Sequence, residues 1–311
     1  MLATPMDVLT QFPVRKTKAQ KQAFRGAVQD YVADLGYSCI VEKGAFDCQN
    51  LVIGDPEQAR YLVTAHYDTC ARMLLPNVVT PCNFWLYLAY QLLIVGMLIL
   101  GAVLCGLAAG MIFQSGPLTG LVGTVCYWLF LAMLLIGPAN PSNANDNTSG
   151  VVTLLEILRT MPENQRNKVC FVLFDLEEAG LIGSESYRKA HKTATGRQLV
   201  LNLDCVGDGD NIILFPTKKL KNDRKKLTSL YRACGYFGKK SILVQEKGFA
   251  FYPSDQMNFP WGIGIGAFHK SKRGIYYYGR IHTSRDTVLD MTNVNILRAA
   301  LTTFICCDEV N

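Results

Sequence analysis

One run in this chain carries no ionisable side chain. From Met73 to Asn145 there is no Asp, Glu, Lys, Arg or His. All 31 basic and all 25 acidic side chains lie outside it, where they make up roughly a quarter of the residues, the usual share of a globular domain. The chain therefore divides into a charged part that can fold in water and an uncharged insert that needs a separate account. Within the insert, Phe84–Phe113 and Gly116–Gly137 are apolar stretches of 30 and 22 residues. A bilayer core of about 30 Å takes about 20 helical residues, so either stretch is long enough to cross it. Trp85, Tyr87, Tyr90, Tyr127 and Trp128 are aromatic groups of the kind found at membrane interfaces. Only Gln114 and Ser115 separate the stretches, and Gly116-Pro117 makes the turn. The rival reading, a pair of buried core helices, conflicts with the missing polar face that soluble helices of this length keep. The expectation is a two-helix transmembrane hairpin over 83–138, about 84–113 and 116–137, inserted into one domain built from 1–72 and 139–311. A hairpin returns the chain to the side it left, and every Lys and Arg lies in the flanking domain. That domain is therefore expected to be cytoplasmic, on a multi-pass membrane protein.

The charged part is long enough for one large α/β domain with a well-buried core. Net charge is +6, and the basic residues are scattered except for a cluster at Lys218–Lys226. A solvated helix face is the main expectation there, with contact to anionic lipid headgroups as the alternative. No motif supports nucleic-acid binding. The 11 cysteines are an odd number, include no CxxC, and place Cys306 beside Cys307. Reduced thiols acting as small buried hydrophobes fit this pattern better than a disulfide framework. The first residues, MLATPMDVLTQFPVRKTKAQ, have no apolar core of signal-peptide type, so export through a cleaved signal is not expected.

Outside the insert, helical and strand patterns alternate. Lys16–Leu35 has helical spacing and is closed by Gly36. Tyr61–Ala65 is a short apolar run ending in His66-Tyr-Asp68. The polar loop Asn143–Gly150, NANDNTSG, precedes the helical pattern VVTLLEILRTM, which Pro162 stops. Val169–Phe174 reads as a buried strand ending in Asp175-Leu-Glu177-Glu178, and Gln198–Leu203 as another ending in Asp204. Asn211–Phe215 and Gly262–Phe268 are further strands, and Leu289–Cys307 is the last helix. No internal repeat and no long linker interrupts this order. The alternation predicts an α/β fold, a mostly parallel central sheet with helices on both faces. Ligands of such sheets bind at the carboxyl edge of the strands, and three loops expected there begin with ligand-type residues.

The chemistry lies in an ordered set: His66-x-Asp68, Asn145-Asp146, Glu177-Glu178, Asp204 and His282-Thr-Ser-Arg-Asp286. Zinc accepts imidazole nitrogen and carboxylate oxygen, and catalytic sites leave a position for water. Two ions about 3.5–4 Å apart can share a bridging carboxylate, with two terminal ligands each. A free carboxylate must then move the proton from water to the leaving group.

The motifs TAHYDT, NDNTSG, FDLEEAGLIGSESY, NLDCVGDG and IHTSRDT occur in the order found in the di-zinc aminopeptidases. The chain resembles that zinc-exopeptidase family, which includes glutamate carboxypeptidase-like and glutaminyl-cyclase-like relatives, over 60–69 and 143–303. The resemblance implies a zinc-hydrolase domain with two Zn2+ per chain. It implies that Asp146 bridges the metals, that His66 and Asp204 complete one site, and that Glu178 and His282 complete the other. Glu177 would be the general base and acid. Asp68 would hold the second ring nitrogen of His66, and Asp286 would do the same for His282.

Other residues take plainer readings. His191 and His269 are expected to be ordinary hydrogen-bonded histidines. Asp175 is read as a turn residue, and Asp208 and Asp210 as shaping a Gly-rich turn. Within Tyr276–Tyr278 a hydroxyl is a candidate to polarise the scissile carbonyl, and within Lys270–Arg273 a cation to clamp a substrate carboxylate. Two departures from the family stand out. The hairpin fills most of the gap between His66 and Asp146, which is usually short. Gln256 stands in Ser254-Asp255-Gln256 where the family has His.

The expected function is a membrane-anchored, zinc-dependent aminopeptidase acting on short peptides. The alternatives on the same site are a glutaminyl-cyclase-like acyl transferase and an N-acyl amino acid amidohydrolase, with acyl-amino-acid substrates. A non-catalytic membrane-bound interaction module is the alternative of another class.

Overall fold

The computed structural model describes residues 2–73 and 75–307. Ten strands form one sheet: β1 (Cys39–Lys43), β2 (Gln49–Ile53), β3 (Tyr61–His66), β4 (Val169–Phe174), β5 (Leu199–Leu203), β6 (Asn211–Pro216), β7 (Gly235–Phe237), β8 (Lys240–Val244), β9 (Gly262–Lys270) and β10 (Tyr276–Tyr277). The spatial order is β1-β2-β4-β3-β5-β9-β6-β8-β7, with β10 beside β9. The central block β4-β3-β5-β9 is parallel throughout. Antiparallel pairs flank it at β2/β4 and β6/β9, while β6 and β8 run parallel.

The helices are α1 (Asp7–Gln11), α2 (Lys18–Asp34), α3 (Phe84–Phe113), α4 (Gly116–Ile136), α5 (Gly150–Thr160), α6 (Ile182–Ala190), α7 (Lys192–Thr195), α8 (Lys218–Asn222), α9 (Arg224–Leu230) and α10 (Met291–Cys307). A capping box starts α2: the Thr17 hydroxyl accepts from the Gln20 amide while the Gln20 side chain accepts from the Thr17 amide. The central strands are apolar on both faces, as buried parallel strands require. In β4, Val169, Phe171 and Leu173 face the core made with α2, α5 and α10. Cys170, Val172 and Phe174 face the opposite core with Tyr187 of α6 and Phe259. The period of two along the strand thus feeds both layers.

The uncharged insert forms two antiparallel helices whose turn is Gln114, in the left-handed region, and Ser115, whose hydroxyl caps α4. Both are long and apolar enough to cross a membrane. They pack on small residues: a Cβ on Gly106 would lie 2.5 Å from the Thr119 carbonyl oxygen, so the backbones approach as closely as glycine allows. The ends of the insert are tied together. The Arg72 amide donates to Pro138 (2.8 Å) and the Asn140 amide to Cys70 (3.2 Å). The hairpin therefore leaves and rejoins the domain at one point.

Candidate metal and catalytic site

His66 ends β3, Asp175–Glu178 follow β4, and Asp204 follows β5. These strands are parallel neighbours, so all three loops emerge at one carboxyl edge. The loop Ala144–Ser149 comes in beside them and leads into α5. Its side chains stitch it to the loop after β5. The Asn145 Oδ1 accepts from the amides of Gly207 (2.7 Å) and Asp208 (3.0 Å). The Asn147 Oδ1 accepts from Cys205 (3.2 Å), and its Nδ2 donates to the Leu203 carbonyl (2.9 Å). Gly150 must lack a side chain, since a Cβ there would lie 2.4 Å from the Leu203 oxygen. The polar NANDNTSG loop thus holds Asp146 against Asp204 through its neighbours.

The side chains meet at short range. His66 Nε2 lies 3.3 Å from Asp146 Oδ1 and 3.8 Å from Asp204 Oδ1. His282 Nε2 lies 3.1 Å from Asp146 Oδ2 and 3.4 Å from Glu178 Oε2. Asp146 therefore stands between the two imidazoles. Glu177 offers an oxygen beside His66 and Asp204. Cys205 lies beside Asp146 and Asp204, and Cys70 beside Glu178 and His282. Burial pushes both thiols well above their ordinary range, which keeps them protonated among carboxylates.

The orienting groups are also near. His66 Nδ1 lies 3.2 Å from the Asp68 carbonyl oxygen and 3.5 Å from its Oδ1. That places the ring proton on Nδ1 and leaves Nε2 free to bind. The Asp68 carboxylate also accepts from the amides of Glu177 (3.0 Å) and Glu178 (3.2 Å). Asp286, expected to support the second nitrogen of His282, is engaged with the incoming loop. Its two oxygens accept from the amides of Asn145 (2.8 Å) and Asp146 (3.0 Å). The physical reason is the position of residue 286 under the incoming loop, where two buried amides have no strand partner. Leu176, Cys205 and His282 sit at φ of 56°, 53° and 61°. Non-glycine residues in that region cost of order 1–3 kcal/mol each and cluster where a site imposes the geometry.

The electrostatics are those of an acidic, buried cluster. Burial pushes the Glu177 carboxyl well above its ordinary range; Glu178, Asp255 and Asp204 add to this against His66. Glu178 rises to about 7 by burial, with His282 opposing and Asp146 adding. Asp146 is held well below its ordinary range: burial opposes this, but His282 and His66 bond its charged form. His282 rises to about 9, since Glu178 and Asp146 outweigh its burial. Glu178 Oε1 is buried without a hydrogen-bond partner among the described residues. Uncompensated charge of this density is costly in a protein interior, and imidazole with carboxylate is the donor set zinc takes. The residues fit a zinc site.

Several surrounding residues have partners that the sequence did not show. Arg15 is fully buried: its Nε donates to the Tyr67 carbonyl (2.5 Å) and its Nη atoms to the Phe12 carbonyl (2.6 Å) and the Thr148 hydroxyl (3.1 and 3.2 Å). Asp175 is a buried ion-pair partner of Lys21 at 2.5 Å rather than a simple turn residue. Asp255 is buried, both its oxygens lack a hydrogen-bond partner among the described residues, and its carboxyl rises to about 7 by burial. Gln256 is buried as well. Its Nε2 donates to the Tyr252 carbonyl (2.7 Å) and its Oε1 accepts from Asn202 (3.1 Å). It braces the loop against β5 instead of projecting into the open.

The plainer readings resolve individually. His191 bridges Glu42 (2.7 Å) and Glu57 (2.9 Å). His269 bonds Asp208 (2.9 Å), so Asp208 is a buried acceptor and not only a turn residue. Tyr278 is buried and stacks on Phe268 at 5.1 Å, and Lys270 lies over the Tyr276 ring. A tyrosine hydroxyl does reach the loop after β5: that of Tyr252 donates to the Asp204 carbonyl (2.7 Å).

Fold and site together define a metallopeptidase of the zinc-exopeptidase class. The chain belongs to peptidase family M28, whose model matches residues 132–304, more than half of it. Its fold is similar to that of a Zn-dependent exopeptidase from Parabacteroides distasonis (TM-score 0.58, 16% identity, 95% of this chain and 93% of that one). It is similar also to the glutaminyl cyclase of Porphyromonas gingivalis (TM-score 0.57, 17% identity, 95% and 93%). The LapA aminopeptidase of Legionella pneumophila shares the fold too (TM-score 0.57, 14% identity, 99% of this chain and 72% of that one). No curated protein matches the chain.

Proposed function

We propose that this M28 chain is a membrane-anchored aminopeptidase with two zinc ions, acting on the N-terminal residues of short peptides. The observation that carries the reading is the approach of His66, Asp146, Glu178, Asp204 and His282 to one another at 3.1–3.8 Å. His66 and Asp204 would hold one ion, Glu178 and His282 the other, and Asp146 would serve both. Zinc bound there would polarise the scissile carbonyl and lower the pKa of a water.

The chain's own residues would do the rest. Glu177, with its raised carboxyl, would take the proton of the attacking water and hand it to the leaving amine. Asp68 supports this by fixing the backbone of Glu177 and Glu178 while facing the His66 ring. Burial around the cluster keeps bulk water from competing.

Anchoring through α3 and α4 rests on their length and apolar surface. Exposed Leu92, Leu100, Leu104, Leu121, Leu129 and Ile136 need a non-aqueous surround. With every basic residue in the domain, a cytoplasmic catalytic side follows the charge rule.

The test is a purified Glu177→Gln chain, assayed on aminoacyl amides, N-acyl amino acids and glutaminyl peptides beside the native chain. Native turnover of aminoacyl amides that collapses in the variant, with metal content retained, supports the reading. Turnover confined to glutaminyl peptides or N-acyl amino acids would move the site to one of the alternative reactions.

A further inference from the structure

The lysines of α8 lie beside the place where the hairpin leaves the domain. The segment Gly248–Tyr252 crosses in front of α8, and together they wall a cleft of about 570 Å³ lined by Lys218, Lys219 and Lys221 with Phe249 and Phe251. The same segment is fastened to the start of α3. The Phe251 amide donates to the Pro81 carbonyl at 2.8 Å. Phe84 packs edge-on against Phe249 (5.1 Å) and Phe251 (5.9 Å), and Tyr87 lies against Phe251 (5.7 Å). The Cys82 thiol reaches the Gln245 side chain at 3.4 Å.

Helix lengths set the level of this patch. At 1.5 Å per residue, α4 is about 32 Å long, close to a bilayer core, whereas α3 is about 45 Å. The two start from a common turn at Gln114 and Ser115. With α4 spanning the hydrocarbon, the first turns of α3 would extend past it and into the headgroup layer. Trp85 and Phe249 are 76% and 67% exposed there, a large cost in water and the normal position of an aromatic at an interface. Among the described residues, no carboxylate lies within ion-pair distance of Lys218, Lys219 or Lys221, although Asp223 pairs with Lys226 and Asp210 with Lys240. Lys219 lies over the Trp261 ring at 4.3 Å. The patch thus joins exposed aromatics to lysines that have no carboxylate partner among the described residues.

We propose that the face formed by Lys218, Lys219, Lys221 and Phe249 docks on anionic phospholipid headgroups, pinning the domain to the bilayer surface at the root of α3. This rests on the anchoring reading and adds a second, charge-selective contact to it. Lysines bind anionic membrane surfaces through screened electrostatics, so salt weakens the contact. The aromatics enter the interface whatever the headgroup charge.

The full-length chain would be reconstituted into nanodiscs of phosphatidylcholine alone or mixed with phosphatidylglycerol, and amide hydrogen exchange followed in 217–222 and 247–252. Phosphatidylglycerol is expected to slow exchange severalfold in both segments, with the effect lost at high salt and in a Lys218→Gln/Lys219→Gln/Lys221→Gln chain. That triple variant should keep its turnover in phosphatidylcholine discs. Equal exchange of the native chain in both kinds of disc overturns the inference alone, as does full slowing in the triple variant. Slowing by soluble glycerol phosphate to the same extent would assign the face to a free anion and overturn it too. A chain that fails to enter discs of either kind overturns the anchoring reading, and this inference with it.

Discussion

Asp286 holds the backbone of Asp146: its two carboxylate oxygens accept from consecutive amides, Asn145 at 2.8 Å and Asp146 at 3.0 Å. Asp146 stands between both imidazoles, so a residue far along the chain sets the position of the central carboxylate. Burial, with the Asp146 charge adding to it, raises the Asp286 carboxyl to about 7, while the two amides favour its charged form. A cation at the site would offset that repulsion.

Asp286→Asn tests this relationship. The amide group can offer one oxygen to one backbone N–H, but it turns a donor on the other. Zinc affinity is expected to fall by about 10- to 100-fold, the usual effect of removing a group that orients a ligand. Competition with a fluorescent chelator measures it.

Glu177→Gln is expected to lower kcat by about 10²–10⁴-fold, the usual weight of general acid–base catalysis. Zinc content measured by plasma emission should stay at the native level, since the proposed ligands are untouched. Near-native turnover in the variant would remove Glu177 from its assigned role.

Removing metal should destabilise the fold as well as abolish turnover. Asp68, Asp146, Glu178, Asp204 and Asp286 are all buried or half-buried within one region, and a ligand that binds only the folded state stabilises it. Treatment with a chelator is expected to lower the Tm of the detergent-solubilised chain, and added zinc to restore it. An unchanged Tm would count against a resident ion.

Arg15→Met should cost about 3 kcal/mol, because it strands the buried carbonyl of Tyr67 and the part-buried carbonyl of Phe12 without a donor. Turnover should fall too, as Tyr67 lies between His66 and Asp68 and Thr148 lies two residues past Asp146. Denaturant titration reads the first effect and steady-state kinetics the second.

His191 gives a pH signature away from the site. Burial lowers its pKa, but Glu42 and Glu57 outweigh this and raise it in the folded state. Stability from this triad is therefore fully present below the unfolded value of about 6.5 and is lost as pH rises through the folded value. The Tm difference between the native chain and His191→Gln should be larger at about pH 6 than at about pH 9. Equal differences at both would show that the bridge is not charged.

The parts of this protein legible in the sequence are those written in local pattern. The insert shows itself because two long apolar helices leave a contiguous run without charge, from Phe84 to Ile136. The buried strands show themselves because Val169–Phe174 is apolar at every position and Leu199–Leu203 at every position but Asn202, as a sheet covered on both faces demands. The proposed ligands stand out because His and carboxylates at strand ends are unusual, and because their motifs follow a family's order.

What the sequence could not carry was partnership across the fold. Nothing local marks Arg15, since its burial is defined by the Tyr67 carbonyl and the Thr148 hydroxyl, which it meets only in the folded chain. Gln256 reads as a lost histidine until Asn202 and the Tyr252 carbonyl are beside it. Asp286 can be read in the sequence only against His282 four residues earlier; its bonds to Asn145 and Asp146, more than a hundred positions away, belong to the fold. Hydrophobic period and donor chemistry are properties of short segments, so one dimension holds them. Hydrogen-bond satisfaction and the level of Lys218 against Phe84 are properties of packed surfaces, and only the tertiary structure decided them.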